Sequence, residues 1–276
     1  IMARIALLQM TTGIDRAANA RTLTGAIAAA KAGGACMVFT PEMSGLIDRN
    51  RARAAVHMYG EDTDPVLAAV RTAAAQAGIW VVIGSLAIAR GDGLLANRSF
   101  VIDETGAIRA RYDKLHMFDV DLATGESWRE SKAYAPGDTA VTVATPIGRL
   151  GLAICYDLRF PALFEELGAQ SCDVIAIPAA FTVPTGKAHW HLMQRARAVE
   201  ATAYVVAAAQ VGQHEDGRAT YGHSLVVDPW GEVALDMGGD AAGLAFAEIA
   251  PARIAEIRQQ LPSLANRRKI PKSDSV

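Results

Sequence analysis

The chain has 276 residues, of which 51% are hydrophobic but only 6% aromatic, so its core is aliphatic and alanine-rich. With 27 basic against 29 acidic residues the formal charge is −2, which excludes the strongly basic footprint of a nucleic-acid binder or of a protein held to an anionic membrane. No apolar run approaches the roughly 18 residues of a membrane span, no signal peptide is expected at the start, and three cysteines suit a reducing, cytoplasmic setting better than a disulfide scaffold.

Along the chain, short apolar runs alternate with alanine-rich stretches. Ala3–Gln9 predicts a strand, Ala17–Ala32 a helix stopped by Gly33 and Gly34, and Met37–Thr40 a second, buried strand. Asp64–Ala77 reads as a helix with Asp62, Thr63 or Asp64 as N-cap, and Ile79–Leu86 as a strand running to a turn at Arg90–Gly93. Ser99–Asp103 and Ile108–Tyr112, joined through Glu104-Thr105-Gly106, predict a hairpin. Residues 113–137 lack periodicity and read as one long polar loop, which in a compact fold is usually functional. Beyond it come strands at Thr139–Ala144 and Arg149–Cys155, a helix at Phe160–Ala169, a strand at Val174–Pro178 and a helix at Ala188–Ala203. Tyr204–Gln210, Ser224–Asp228, Val233–Asp236 and Leu244–Ile249 read as strands; Pro251 opens a last helix, Ala252–Leu261. No linker, repeat or charge block divides the chain, so one domain (1–276, core about 3–262, tail 263–276) with stacked layers of helix and sheet is expected. The pattern does not give the strand order, and Arg267–Val276 reads as a loose or docked polar tail.

Three polar residues sit at the ends of apolar runs, where a scaffold presents reactive groups: Glu42 in FTPEM, Lys114 in YDKLH and Cys155 in GLAICYDLRFP. Cys155 ends a strand shortly before a helix start, a corner that exposes the side chain and aims backbone N–H groups at one point. A thiol of pKa about 8.5 needs a base or a cation to become a nucleophile, and Glu42 and Lys114 could supply them. Taken alone, Cys155 is as readily a plain buried cysteine, Glu42 a solvated or capping acid and Lys114 a solvated loop lysine.

Together, in this order and spacing, FTPEMSG, RYDKLHMFD and GLAICYDLRFP resemble the nitrilase, or carbon–nitrogen hydrolase, superfamily, and the resemblance runs from LLQM to LPSLANRRK. TGKAHWHLMQRARAVEATAYVVAAAQVG and YGHSLVVDPWGEV are similar to the branch whose amidases act on deaminated glutathione. The resemblance implies an α/β fold, a four-layer α-β-β-α sandwich, and a catalytic triad at Glu42, Lys114 and Cys155. It implies a second glutamate at Glu130, with Glu126 as rival. It also implies thioester chemistry without metal or organic cofactor, with Lys114 and the Tyr156 backbone N–H on the oxyanion. The partners implied are a small amide substrate and a second copy of the chain, a homodimer or larger assembly through Phe160–Gly168 and Ala188–Glu200.

Arg159 could clamp a substrate carboxylate or pair with Asp157 or another acid. His116, Phe118, Phe181 and Thr182 flank the lysine and nucleophile segments and are expected either at the pocket or in packing. The favoured substrate is deaminated glutathione; the alternatives are the ω-amidase reaction on α-ketoglutaramate, another aliphatic amide, an N-carbamoyl compound, a nitrile, or a silent binding scaffold. His189 and His191, two apart on a helix, face different ways and do not predict a zinc site. Gly222-His223-Ser224 lacks the second glycine of a serine nucleophile elbow, and Gly91-x-Gly93 lacks the third glycine of a dinucleotide loop.

Overall fold

A computed structural model describes residues 2–123 and 125–271. In chain order its first half comprises β1 (Ala3–Gln9), α1 (Arg16–Ala32), β2 (Met37–Phe39), α2 (Arg51–Ala55), α3 (Pro65–Ala77), β3 (Trp80–Ala89), β4 (Leu95–Ile102), β5 (Ile108–Asp113), β6 (Asp119–Asp121) and β7 (Ser127–Arg129). There follow β8 (Thr142–Thr145), β9 (Gly148–Leu152), α4 (Pro161–Ala169), β10 (Val174–Ala176), α5 (Val183–Ala201), β11 (Tyr204–Ala207), β12 (Val211–Gln213), β13 (Ala219–Tyr221), β14 (Leu225–Val227), β15 (Val233–Asp236), β16 (Gly243–Ile249) and α6 (Pro251–Gln260).

Two six-stranded sheets carry the fold, ordered β16-β1-β2-β3-β4-β5 and β15-β14-β11-β10-β9-β8. In each, three parallel strands lie at the centre, β1/β2/β3 and β9/β10/β11, flanked by antiparallel ones. The alternation of side chains along a strand assigns the layers. Ile5, Leu7, Met37, Phe39 and Val82 point into a core shared with Leu150, Leu152, Val174 and Val206 of the other sheet. Their neighbours Ala6, Leu8, Val38, Val81 and Ile83 point the other way, onto Leu23 and Ile27 of α1 and Val66 and Val70 of α3. Leu163 and Phe164 of α4 and Trp190 and Ala198 of α5 complete the core cluster of the second sheet. The result is the expected α-β-β-α sandwich.

The helix ends follow their capping residues. Asp15 accepts from the N–H groups of Ala17 and Ala18 at 2.8 and 3.1 Å. Asp64, ahead of Pro65, accepts from Val66 and Leu67 at 2.9 and 3.0 Å and is partnered by the buried Arg16. Several boundaries differ from expectation. Strand Arg149–Cys155 stops at Leu152, and helix Ala188–Ala203 begins five residues early, at Val183, because Pro184 is tolerated in a first turn. The presumed loop 113–137 holds the β6–β7 hairpin and a 3-10 turn at Glu130–Lys132, and the β12–β13 hairpin was not foreseen. Of the expected tail, residues 272–276 lie outside those described, while Arg267 donates to the carbonyl of Glu165 at 2.6 Å, so that part docks on its own chain.

Candidate active site

The C-terminal ends of parallel strands open onto one cleft of about 1110 Å³, the placement expected of a ligand site in an α/β fold. Glu42 arrives from the loop after β2, Lys114 from the residue after β5, and Cys155 from the turn after β9. Cys155 has φ of +48°, a left-handed backbone that a side chain adopts at a cost, and opens a 3-10 turn, Cys155–Arg159, ahead of α4. The corner foreseen for Cys155 is there, but tighter than a simple strand end.

All three side chains are buried, Glu42 5%, Lys114 2% and Cys155 8% exposed. Lys114 Nζ donates to Glu42 Oε1 at 3.1 Å and to Glu130 Oε2 at 2.8 Å. Glu42 Oε2 accepts from the N–H of Ala180 at 2.9 Å, and its carboxylate faces the Cys155 thiol closely enough to shift its pKa. Glu130 also accepts from the Phe118 N–H at 2.7 Å, which ties it to the segment after the lysine. It is Glu130, not Glu126, that touches Lys114; Glu126 lies on the cleft wall with one buried oxygen lacking a hydrogen-bond partner.

Electrostatics sort the protons. Burial pushes the Glu42 carboxyl up, but Lys114, Cys155 and Asn97 together hold it below its ordinary value. Burial and the neighbouring Glu42 carboxylate raise the Cys155 thiol well above its ordinary value, against the opposing pull of Lys114. Burial disfavours the Lys114 ammonium, yet Glu130 and Glu42 hold its pKa well up. The resting site is therefore thiol, carboxylate and ammonium. By contrast Cys172, pushed up to about 12 mainly by burial, does not line the cleft.

Two residues support the site: Asn97, which had no place in the sequence reading, and Asp157, which entered it only as a partner for Arg159. Asn97 Nδ2 donates to Glu42 Oε1 at 2.9 Å and to Glu130 Oε1 at 3.0 Å, bridging the carboxylates. It stands on β4 two residues before the strand predicted there, between that strand and the turn at Arg90–Gly93; an amide in an apolar run was the available signal. Asp157, fully buried, accepts from Tyr112 Oη at 2.7 Å, Ile154 N–H at 2.9 Å and His116 N–H at 3.0 Å, and lies 2.7 Å from His116 Nδ1. It fastens the cysteine turn to the lysine segment.

Of the expected substrate contacts, Tyr156, Phe118, Phe181 and Thr182 line the cleft; His116 and Arg159 do not. His116 is turned away by Asp157 and stacks on Phe160 at 3.6 Å. Arg159 meets His189 Nδ1 at 3.3 Å and lies over the Phe181 ring at 5.5 Å, and it forms no ion pair with Asp157 or another acid among the described residues. Among the described residues one group has metal-ligating composition, His191, His223 and Asp236, away from the cleft wall. Its carboxylate is already taken by both imidazoles at 2.9 Å.

A buried cysteine on a strained turn, a carboxylate beside its thiol and an ammonium between two carboxylates thus meet at one cleft of an α/β sandwich. Residues 4–259 match the family model described as carbon-nitrogen hydrolase, and the chain belongs to that family. It is 39% identical to a deaminated glutathione amidase of Yersinia enterocolitica over 96% of this chain and 93% of that one. The crystal structure of the C. elegans NitFhit protein superposes with a TM-score of 0.89 at 36% identity, covering 97% of this chain and 65% of that longer protein. That of Saccharomyces cerevisiae Nit3, a member of branch 10 of the nitrilase superfamily, gives 0.84 at 26% identity, covering 95% and 94%. The chain is thus a nitrilase-superfamily enzyme that cleaves carbon–nitrogen bonds.

Proposed function

We propose that the chain hydrolyses the amide of deaminated glutathione through a thioester on Cys155, with Glu42 as general base and acid, Lys114 as oxyanion partner and Glu130 as the group that positions Lys114. One observation carries the reading: a single buried carboxylate, Glu42, accepts from Lys114 and faces the Cys155 thiol at the wall of a large cleft. Glu42 takes the thiol proton as sulfur attacks the amide carbonyl, so the thiolate need not exist in the resting site. Lys114 Nζ and the Tyr156 N–H receive the developing oxyanion; losing one such donor costs about 10²–10³ in rate. Glu42 returns the proton to the leaving amine, the C–N bond breaks, and water deprotonated by Glu42 then cleaves the thioester. Phe118, Phe181 and Thr182 shape the walls around the substrate. The substrate assignment is supported by the full-length similarity to the Yersinia amidase.

The same proposal includes a homodimer through α4 and α5. Its support is the exposure of Leu192 (67%) and Val199 (41%) on α5, with Trp230 (46%) nearby in sequence to β14. A cytoplasmic setting is supported by three cysteines that form no disulfide.

The test offers purified protein deaminated glutathione and α-ketoglutaramate separately and follows products by mass. Release of cysteinylglycine from the first, faster than ammonia from the second, is expected. The reverse ranking moves the assignment to ω-amidase, and inertness to both removes it.

A further inference from the structure

Three excursions from the sandwich meet at the cleft wall. Arg49 comes from the loop after the Glu42 turn, Trp128 from β7, and Arg218 from the turn between β12 and β13; all three line the cleft. The guanidinium carbons of Arg49 and Arg218 lie 5.4 and 5.1 Å from the centroid of the one Trp128 ring. Among the other cations of the wall, Arg90 is paired with Asp92 at 3.0 Å and Arg129 with Asp121 at 2.7 Å, while Arg51 and Lys132 form no ion pair among the described residues and do not stand over the Trp128 ring. Arg218 is tied to Asp216 at 2.8 Å, which fixes its guanidinium but leaves its Nη1 without a hydrogen bond among the described residues. Arg49 has no acidic partner within 4.0 Å among the described residues: the adjacent Asp48 is taken by Arg53 at 2.6 Å. The Trp128 indole Nε1 is buried with no acceptor. Glu126 brings one carboxylate to the same wall, outnumbered by the cations.

Two guanidinium groups drawn to one ring repel each other, and an indole N–H without an acceptor loses its hydration for nothing; an anionic acceptor between them relieves both. None of the three touches Glu42, Lys114 or Cys155. Resting on the amidase reading above, we propose that Arg49, Arg218 and Trp128 form a distal subsite for a carboxylate at the end of the substrate remote from the scissile amide. The volume fits: about 1110 Å³ is at the upper end of small-molecule sites, room for an extended, peptide-like amide. Deaminated glutathione ends in such a group, the glycine carboxylate of its leaving half; α-ketoglutaramate, whose leaving group is ammonia, has none there.

The test compares deaminated glutathione with its C-terminal carboxamide, which differs only in that charge. Binding is measured by calorimetry to Cys155→Ala protein, and kcat and KM on the active enzyme. The free carboxylate is expected to bind about tenfold more tightly than the carboxamide, the worth of one charge-assisted contact, with the difference in KM. In Arg49→Ala the ratio of the two affinities falls toward one, and Arg49→Lys restores part of it; Arg49 is exposed, so neither change threatens folding. Equal binding of the two compounds, or a ratio unchanged in Arg49→Ala, overturns the subsite while normal turnover leaves the amidase reading intact. Binding of neither compound removes both. Carboxylate-selective binding without turnover removes the amidase reading and keeps the subsite.

Discussion

At the scale of single residues, the site holds its charged groups against one another and largely buried. One ammonium lies between two carboxylates, and Asn97 bridges those carboxylates from the other side. Removing Lys114 leaves two buried anions unpaired, so Lys114→Met should cost about 3–5 kcal/mol of stability as well as activity, read by denaturant unfolding beside a rate assay. The pH profile follows from the directions of the shifts. Glu42 is depressed, so it stays a competent base down to below the ordinary carboxylate pKa of about 4.3. Its stabilising contribution is full above that value and is lost as pH falls through the folded pKa. Lys114 and Cys155 are raised, so no basic limb is expected near an ordinary thiol pKa of about 8.5. Asn97 favours the charged form of Glu42, and Asn97→Ala should lower kcat/KM and move the acid limb toward higher pH. A merely structural asparagine would lower activity without moving the limb. The sequence shows the reactive side chains because each ends an apolar run. It does not show Asn97 or Asp157, whose roles depend on partners 33 to 55 and 41 to 45 positions away in the chain.

At the scale of elements, loop chemistry sets the geometry. The Cys155 turn is held in its left-handed conformation by Asp157, whose carboxylate collects four polar groups. Asp157→Asn turns an acceptor into a partial donor there and should cost about 1–3 kcal/mol, with a fall in kcat; thermal unfolding and kinetics check it. Gly84 on β3 packs so tightly under the Glu42 loop that a Cβ would overlap the carbonyl oxygens of Thr40 and Pro41. Gly84→Ala should therefore displace Glu42 and reduce activity more than a strand glycine ordinarily would, an effect visible as a loss of kcat in folded protein. The β6–β7 and β12–β13 hairpins that carry Trp128 and frame Arg218 are built of three-residue strands. Runs that short and largely polar carry no period-two signal, which is why they read as loop.

For the whole molecule, both sheets repeat one order of a parallel centre with antiparallel flanks, and the cleft opens where the centre strands end. Strand identity was legible because β1, β2, β3 and β10 are buried on both faces and read as continuous apolar runs. Their pairing was not: β1 joins β16 across nearly the whole chain, which no local pattern encodes, and the sandwich came from the resemblance of three motifs. The proposed dimer predicts sedimentation as a dimer at micromolar concentration, and Leu192→Asp should weaken it by placing a charge in the α5 face. The most direct measurement mixes the protein with deaminated glutathione, quenches it in acid within a turnover and weighs the peptide containing Cys155. The account predicts an oxoglutaryl thioester on Cys155, formed as cysteinylglycine appears, with no acyl peptide and no product in Cys155→Ala. Continued product release by Cys155→Ala, or acylation elsewhere in the chain, would contradict it.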